Sequence, residues 1–217
     1  MKKGEKFKLI IFDFDGTLVN SLPFHILAFK DMLLEHGIKI QEEELNKLVG
    51  LSTKNIFNLL KKKYKFKEDL EALREERRYH YFKFLGKKNI LFPGVIKILE
   101  NLILKNYKLA IATGSSEVTF SHTVNNDFKV LFDEIVTITD IKKGKPAPDQ
   151  LLFIAKKLKV KPKECLVVGD SVYDGQAAQR AKMSFIGVRT GYTKERDFKK
   201  YKPLAILNSV AQLGKFL

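Results

Sequence analysis

The sequence predicts an α/β fold, a parallel sheet with a wholly helical segment inserted after its first strand, and three observations carry that prediction. Short, nearly continuous apolar runs at 8–12, 108–112 and 165–168 have the length and β-forming composition of strands buried on both faces. Between the first and second run, residues 20–88 keep apolar positions at helical spacing. Each run also ends abruptly in glycine and polar residues, as strands of an open α/β sheet do where they deliver their ends to a binding crevice.

Taken in order, Lys8-Leu9-Ile10-Ile11-Phe12 is the first strand, and Gly16 breaks it. Residues 23–36 place Phe24, Leu27, Ala28 and Met32 at helical spacing, open with a proline in the first turn and stop at Gly37. Residues 41–49 and 52–63 read as two more helices, the second capped by Ser52 or Thr53. Residues 69–85 set Leu70, Leu73, Tyr81 and Phe84 against Glu71, Arg74, Glu75 and Arg78, an amphipathic helix with charged pairs on its outer face. A helix restarts after Phe92-Pro93-Gly94 and leads to the second strand, 108–112, which ends in Thr113-Gly114-Ser115-Ser116. Residues 134–137 are a third strand. Two prolines stiffen Lys143-Gly144-Lys145-Pro146-Ala147-Pro148-Asp149 before an apolar helix at 150–158. The strand at 165–168 ends in Gly169-Asp170-Ser171-Val172-Tyr173-Asp174-Gly175, and 184–188 and 204–207 complete the sheet, with Gly191-Tyr192 in the loop between them.

Composition narrows the function classes. With 217 residues the chain suits one large domain, or a core carrying a smaller insertion. No apolar run approaches the roughly 18 residues of a membrane span. The basic start at 1–8 precedes an apolar stretch that Asp13 interrupts too early for a signal peptide, so a cytoplasmic protein with no membrane partner is expected. The lone Cys165 beside Leu166-Val167-Val168 reads as a buried thiol, with no second cysteine to form a disulfide. Forty Lys and Arg against 25 Asp and Glu give +15, which suits either a nucleic acid or small anions. The lysines are scattered among acids, and the densest group, Lys61-Lys62-Lys63 with Lys65 and Lys67, closes a helix, where cations suit the dipole. A solvated surface is the better reading, and no specific nucleic acid is expected.

Chemistry concentrates at the strand ends. Asp13 and Asp15 stand two residues apart where the first strand stops, and two carboxylates so close resist joint ionisation unless a cation lies between them or they divide acid and base roles. One could attack an electrophile while the other moves protons. Taken alone, the same residues suit a solvated turn equally well. Thr113-Gly114-Ser115-Ser116 offers free backbone N–H groups and hydroxyls, either as a phosphate cradle or as a plain helix cap. Lys145 sits on a stiff loop, where a charge neutraliser for a phosphoryl group would have to be held. Asp170 and Asp174 repeat the pattern of two carboxylates just past an apolar strand.

Four such stretches, in this order over nearly the whole chain, resemble the haloacid dehalogenase superfamily of aspartate-nucleophile phosphohydrolases. The subgroup with an α-helical cap, which includes phosphoglycolate phosphatases and β-phosphoglucomutases, fits best. The resemblance implies a Rossmann-like catalytic core over 1–19 and 89–217 and a cap over 20–88. It implies that Asp13 is the nucleophile and that Asp15 protonates the leaving oxygen and then activates water. Thr113 would hold phosphoryl oxygens with Gly114 and Ser115, and Lys145 would bridge phosphate and nucleophile. Mg²⁺ would be bound by Asp13, Asp170 and the Asp15 backbone carbonyl, with Asp174 in support. Dehalogenases typically lack the second aspartate, so Asp15 implies phosphate esters, and a small phosphorylated metabolite is the expected partner of a monomer or homodimer. His25 matches a histidine of the mutase-like cap hinge and is assigned to substrate binding on that basis; a lone helical histidine is otherwise a packing residue. Thr53 stands where mutase-like caps carry arginine, and Ser116-Glu117 replaces their Lys-Asn. A phosphatase is therefore the first reading, a phosphosugar mutase the second, and a catalytically silent binding protein the third. Specificity is expected from 50–54 and 115–117. His36, His80 and His122 share no ligand spacing and receive no metal.

Overall fold

The computed structural model describes residues 7–217, so the expectation for the basic start at 1–6 lies outside the described residues. Six parallel strands form one sheet: β1 Leu9–Phe12, β2 Lys108–Ala112, β3 Glu134–Val136, β4 Cys165–Gly169, β5 Ser184–Val188 and β6 Ala205–Leu207. Their order, β3-β2-β1-β4-β5-β6, runs outward from the middle in both directions. Strand order therefore reverses between β1 and β4, and the crevice of a doubly wound sheet opens beyond their carboxyl ends.

Side-chain alternation supplies a core to each face of the sheet. Ile10, Phe12, Leu109, Ile111, Leu166 and Val168 point to one face. Leu9, Ile11, Ala110, Ala112, Cys165 and Val167 point to the other. Both sets are almost wholly buried, which is why β1 and β4 read as continuous apolar runs instead of alternating ones. Cys165 is a buried free thiol, pushed up to about 12 by burial and inert accordingly.

Four helices follow β1: α1 Leu22–Glu35, α2 Glu42–Asn46, α3 Thr53–Tyr64 and α4 Leu70–Leu85. They share a separate apolar cluster that includes Ile26, Phe29, Met32, Leu33, Phe57, Leu60 and Leu73. Ser52 caps α3 by accepting from the Asn55 N–H, and Asp69 caps α4 by accepting from Glu71 and Ala72. Two details differ from expectation. The buried stripe of α1 begins at Leu22 and continues through Ile26, Phe29 and Leu33 toward α4, which leaves Leu27 exposed. The second helix stops at Asn46, because the chain turns there toward Gly50, whose φ of +93° is left-handed.

The remaining helices are α5 Val95–Leu104, α6 Glu117–Thr123, α7 Asn126–Lys129, α8 Asp149–Lys157, α9 Val172–Ala181 and α10 Glu195–Phe198. Packing of α5 covers the first face of the sheet, while α8 and α9 cover the second. His80, to which the sequence gives no partner, is buried between Asp31 at 2.9 Å and Glu35 at 3.4 Å. Its two ring nitrogens face different carboxylates, which suits a tie between α4 and α1 better than chelation of one ion. Among the described residues, no helix is long and apolar enough to cross a membrane.

Candidate active site

The loop after β1 is built so that alternate side chains part company. The Asp13 N–H donates to the Val168 carbonyl at 2.8 Å and extends the ladder one residue past the strand. Phe14 then turns into the core against Phe120, ring centroids 4.7 Å apart. With Phe14 anchored, Asp13 and Asp15 both border the crevice and the cavity above it. Gly16 completes the turn at φ +82°.

Asp13 is buried beside the Lys145 ammonium, with Nζ 2.6 Å from Asp13 Oδ1 and 2.7 Å from Asp174 Oδ1. Burial opposes charge on the lysine, but the Asp13 and Asp174 charges outweigh it and raise its pKa. Asp13 is pushed up to about 7, first by burial, then by the Asp174 charge, against the pull of Lys145.

Asp170, at the end of β4, accepts from the Thr17 hydroxyl through Oδ1 at 2.8 Å. Its Oδ2 is buried and has no hydrogen-bond partner. Burial, followed by the charges of Asp13 and Asp174, raises its pKa well above the usual carboxylate range. Ligand atoms of Asp13, Asp170 and Asp174 lie within 4.8 Å of one another. Three carboxylates against one ammonium leave two formal negative charges unbalanced in a buried place, and with the orphaned Asp170 oxygen this donor set fits a divalent cation with oxygen preference. Both oxygens of Asp174 are already engaged: Oδ1 takes Lys145, and Oδ2 accepts from the Ser171 N–H at 3.0 Å and its hydroxyl at 2.5 Å. Ser171 and Asp174 form the capping box of α9, so Asp174 supports the cluster while it starts the helix.

Asp15 faces different company. Ser21 donates to its Oδ1 at 2.6 Å, and His25 Nε2 lies 3.0 Å from the same atom. Oδ2 accepts from Ser115 at 2.7 Å and Thr113 at 3.2 Å. Burial alone would raise its pKa, but His25 and the hydroxyl donors hold it well below the usual range. The Thr113 hydroxyl also accepts from the Ser115 N–H at 3.0 Å, so the expected cradle residues here orient Asp15 and each other. His25 stacks on Tyr81 and takes the Arg77 guanidinium on Nδ1. A neutral ring with its proton on Nε2 satisfies both contacts, and burial, then the Arg77 charge, lower the His25 pKa accordingly.

Two cavities meet over these residues. A chamber of about 50 Å³ touches Asp13, Asp15, His25, Gly114 and Ser115, and its wall on α1 and α3 is apolar, with Leu22, Ile26, Phe29 and Ile56. A wider space of about 530 Å³ lies between α3–α4 and the core loops, and seven Lys or Arg line it. Thr53, Arg77 and Gly114 border both.

The structure thus gathers Asp13, Lys145, Asp170 and Asp174 in one buried cluster and Asp15, His25, Thr113 and Ser115 in an adjoining one. Sequence reasoning missed Thr17, Ser21, Arg77 and Gln150. Gln150 Nε2 donates to the carbonyls of Thr113 at 2.8 Å and Val136 at 3.2 Å, which fixes the ends of β2 and β3. Thr17 was visible inside the first motif; nothing local marks the other three.

The chain matches the family model described as haloacid dehalogenase-like hydrolase over residues 10–188. It is 30% identical to a phosphoglycolate phosphatase of Pasteurella multocida over 96% of this chain and 97% of that protein. It is 28% identical to a β-phosphoglucomutase of Bacillus subtilis, over 85% and 84% of the two chains. The crystal structure of a hydrolase from Pseudomonas syringae superposes with a TM-score of 0.85 at 28% identity, covering 96% of this chain and 97% of that one. The strand order, the clustered carboxylates and these likenesses agree, and the chain belongs to the haloacid dehalogenase-like hydrolases.

Proposed function

We propose that this protein is a Mg²⁺-dependent phosphatase of the cytoplasm that hydrolyses a small phosphorylated metabolite through a phosphorylated Asp13. The observation that carries the reading is the buried contact of Asp13 with Lys145 beside the orphaned oxygen of Asp170. Hydrolysis of a phosphoric monoester accords with the family and with the phosphoglycolate phosphatase relative.

In this reading an Asp13 oxygen attacks phosphorus, the bond to the ester oxygen breaks, and that oxygen takes a proton from Asp15. Asp15 then accepts a proton from water as the water oxygen attacks phosphorus, and the acyl phosphate bond breaks to release phosphate and free Asp13. Lys145 neutralises charge on phosphate and nucleophile, and the Thr113, Gly114 and Ser115 segment holds phosphoryl oxygens. Asp13, Asp170 and the Asp15 carbonyl would hold Mg²⁺, with Asp174 behind them, and the ion would supply electrostatic stabilisation of the phosphoryl charge. Asp15 is ionised while Ser21, His25, Thr113 and Ser115 donate to it, so it must leave some of these donors to carry a proton. Residues 20–88 act as a cap whose apolar chamber wall excludes bulk water. Phosphate release from p-nitrophenyl phosphate tests the reading: Asp13→Asn and EDTA should each abolish it, and turnover by Asp13→Asn would remove Asp13 as nucleophile.

The likeness to a β-phosphoglucomutase favours a second reading, a phosphosugar mutase, against which Thr53 and Ser116-Glu117 speak. Incubation with β-glucose 1-phosphate and a bisphosphate primer decides, since free phosphate without a 6-phosphate product rules the mutase out.

A further inference from the structure

Arg77 is an arginine that a folded protein has little reason to bury. Its residue is 4% exposed, on the face of α4 that looks at the chamber over Asp13. The other two arginines of that helix segment pair with acids of their own helix, Arg74 with Glu71 and Arg78 with Glu75. Among the described residues no carboxylate forms an ion pair with Arg77. Its Nη2 rests on His25 Nδ1, Nη1 makes only a 3.3 Å contact with the Thr53 hydroxyl, and the buried Nε has no partner at all.

Burial lowers its pKa to about 10, so the guanidinium is charged at neutral pH. The rings of Phe29 and Tyr81, with centroids 5.0 and 5.4 Å from Cζ, stack on the group but offer no acceptor in its plane. A buried charge with an unused planar donor awaits an anion that it can fork. Lys145 already stands at the nucleophile, so a single phosphate does not need Arg77 as well. Neutral ends of a substrate would instead match the apolar wall formed by Ile26, Phe29 and Ile56.

We propose that Arg77, with Thr53 beside it, is the specificity-determining residue of this site and receives a second acidic group, a carboxylate or a phosphate, on the organic part of the substrate. The proposal rests on the phosphatase reading for the position of the first phosphate. The position of Arg77 fits that part, since it borders both the small chamber that Asp13 lines and the wide basic space beside it. Neutral and singly charged phosphate esters would leave it unpaired, and the penalty for that discriminates against them.

The test reads binding, so a failure here is distinguishable from a failure of turnover. Calorimetric titrations of the Mg²⁺-saturated protein compare three non-hydrolysable probes: 3-phosphonopropionate, ethylenebisphosphonate and propylphosphonate. Wild type should bind one of the two diacidic probes about ten- to a hundredfold more tightly than propylphosphonate, the range of a charge-assisted hydrogen bond. Which one it prefers tells a carboxylate from a phosphate. Arg77→Gln should level that preference while propylphosphonate affinity changes less than about threefold. Equal wild-type affinity for all three probes would overturn the proposal. So would an equal loss for all three in Arg77→Gln, which would make Arg77 a positioning residue acting through His25. If Arg77→Gln does not fold, Arg77→Lys carries the test: a point charge without the planar fork should keep a reduced preference, and an undiminished one would contradict the role assigned to the guanidinium.

Discussion

Gly16 leaves the loop that carries Asp13 and Asp15 no room to change. Its φ is +82°, and a Cβ there would lie 2.6 Å from Asp170 Oδ2 and 2.7 Å from Leu22 Cδ1. Gly16→Ala is therefore expected to cost about 1–3 kcal/mol and to lower phosphate release at least tenfold, since relief of the clash must displace Asp170 or α1. Urea unfolding and a phosphate-release assay check both, and a variant unchanged in either would mean that the loop yields. Much of the candidate site was legible: Asp13, Asp15 and Asp170 advertise themselves as charges at the ends of apolar strands, and Lys145 as a cation on a loop stiffened by prolines. Arg77 did not. It lies in a run of arginines and glutamates whose spacing reads as solvent-facing pairs, and that reading holds for Arg74 and Arg78. Only the placement of α4 over the chamber sets Arg77 apart, and no local pattern encodes it.

Between elements, α1 and α4 form the main helix pair of the segment that follows β1, and His36 just past α1 joins them. Its Nε2 lies 2.9 Å from Glu76, while Glu68 stands 3.6 Å from Nδ1. The Glu76 hydrogen bond first, and the neighbouring acid charges after it, raise the His36 pKa above its ordinary 6.5. A raised folded-state pKa means that the stabilisation is present below the unfolded value and is lost as pH rises through the folded one. Raising the pH from about 6 to about 8 should therefore loosen α1 against α4 by about 0.5 kcal/mol, the scale of a partly exposed pair. His36→Asn should remove that pH dependence, as read from amide exchange in the two helices; a persisting dependence would place it elsewhere. Helix existence was legible from apolar spacing and, for α3, from the cap at Ser52, whereas the Asp69 cap of α4 came only with the structure. Which face of α1 is buried was not, because Leu27 and Ile26 are equally apolar and only the partner helix chooses between them.

For the molecule as a whole, the strand order could be anticipated only in part, since apolar runs announce buried strands but not their neighbours. The structure joins a sheet with two apolar faces to a helical segment with its own core, and the carboxylate cluster sits where they meet. If Asp13 and Asp170 hold a divalent cation, Mg²⁺ at about 100 times its dissociation constant should raise unfolding stability by about 2.7 kcal/mol. EDTA should reverse the gain in a thermal melt, and Asp170→Asn should lose most of it; equal melts with and without Mg²⁺ would contradict a cation at this cluster. The proposed chemistry turns on the covalent step at Asp13. Acid quenching of the enzyme during turnover of p-nitrophenyl phosphate, followed by mass spectrometry of its peptides, should find the phosphoryl group on Asp13. Steady turnover with Asp13 unmodified, or a phosphoryl group trapped on another residue, would contradict it.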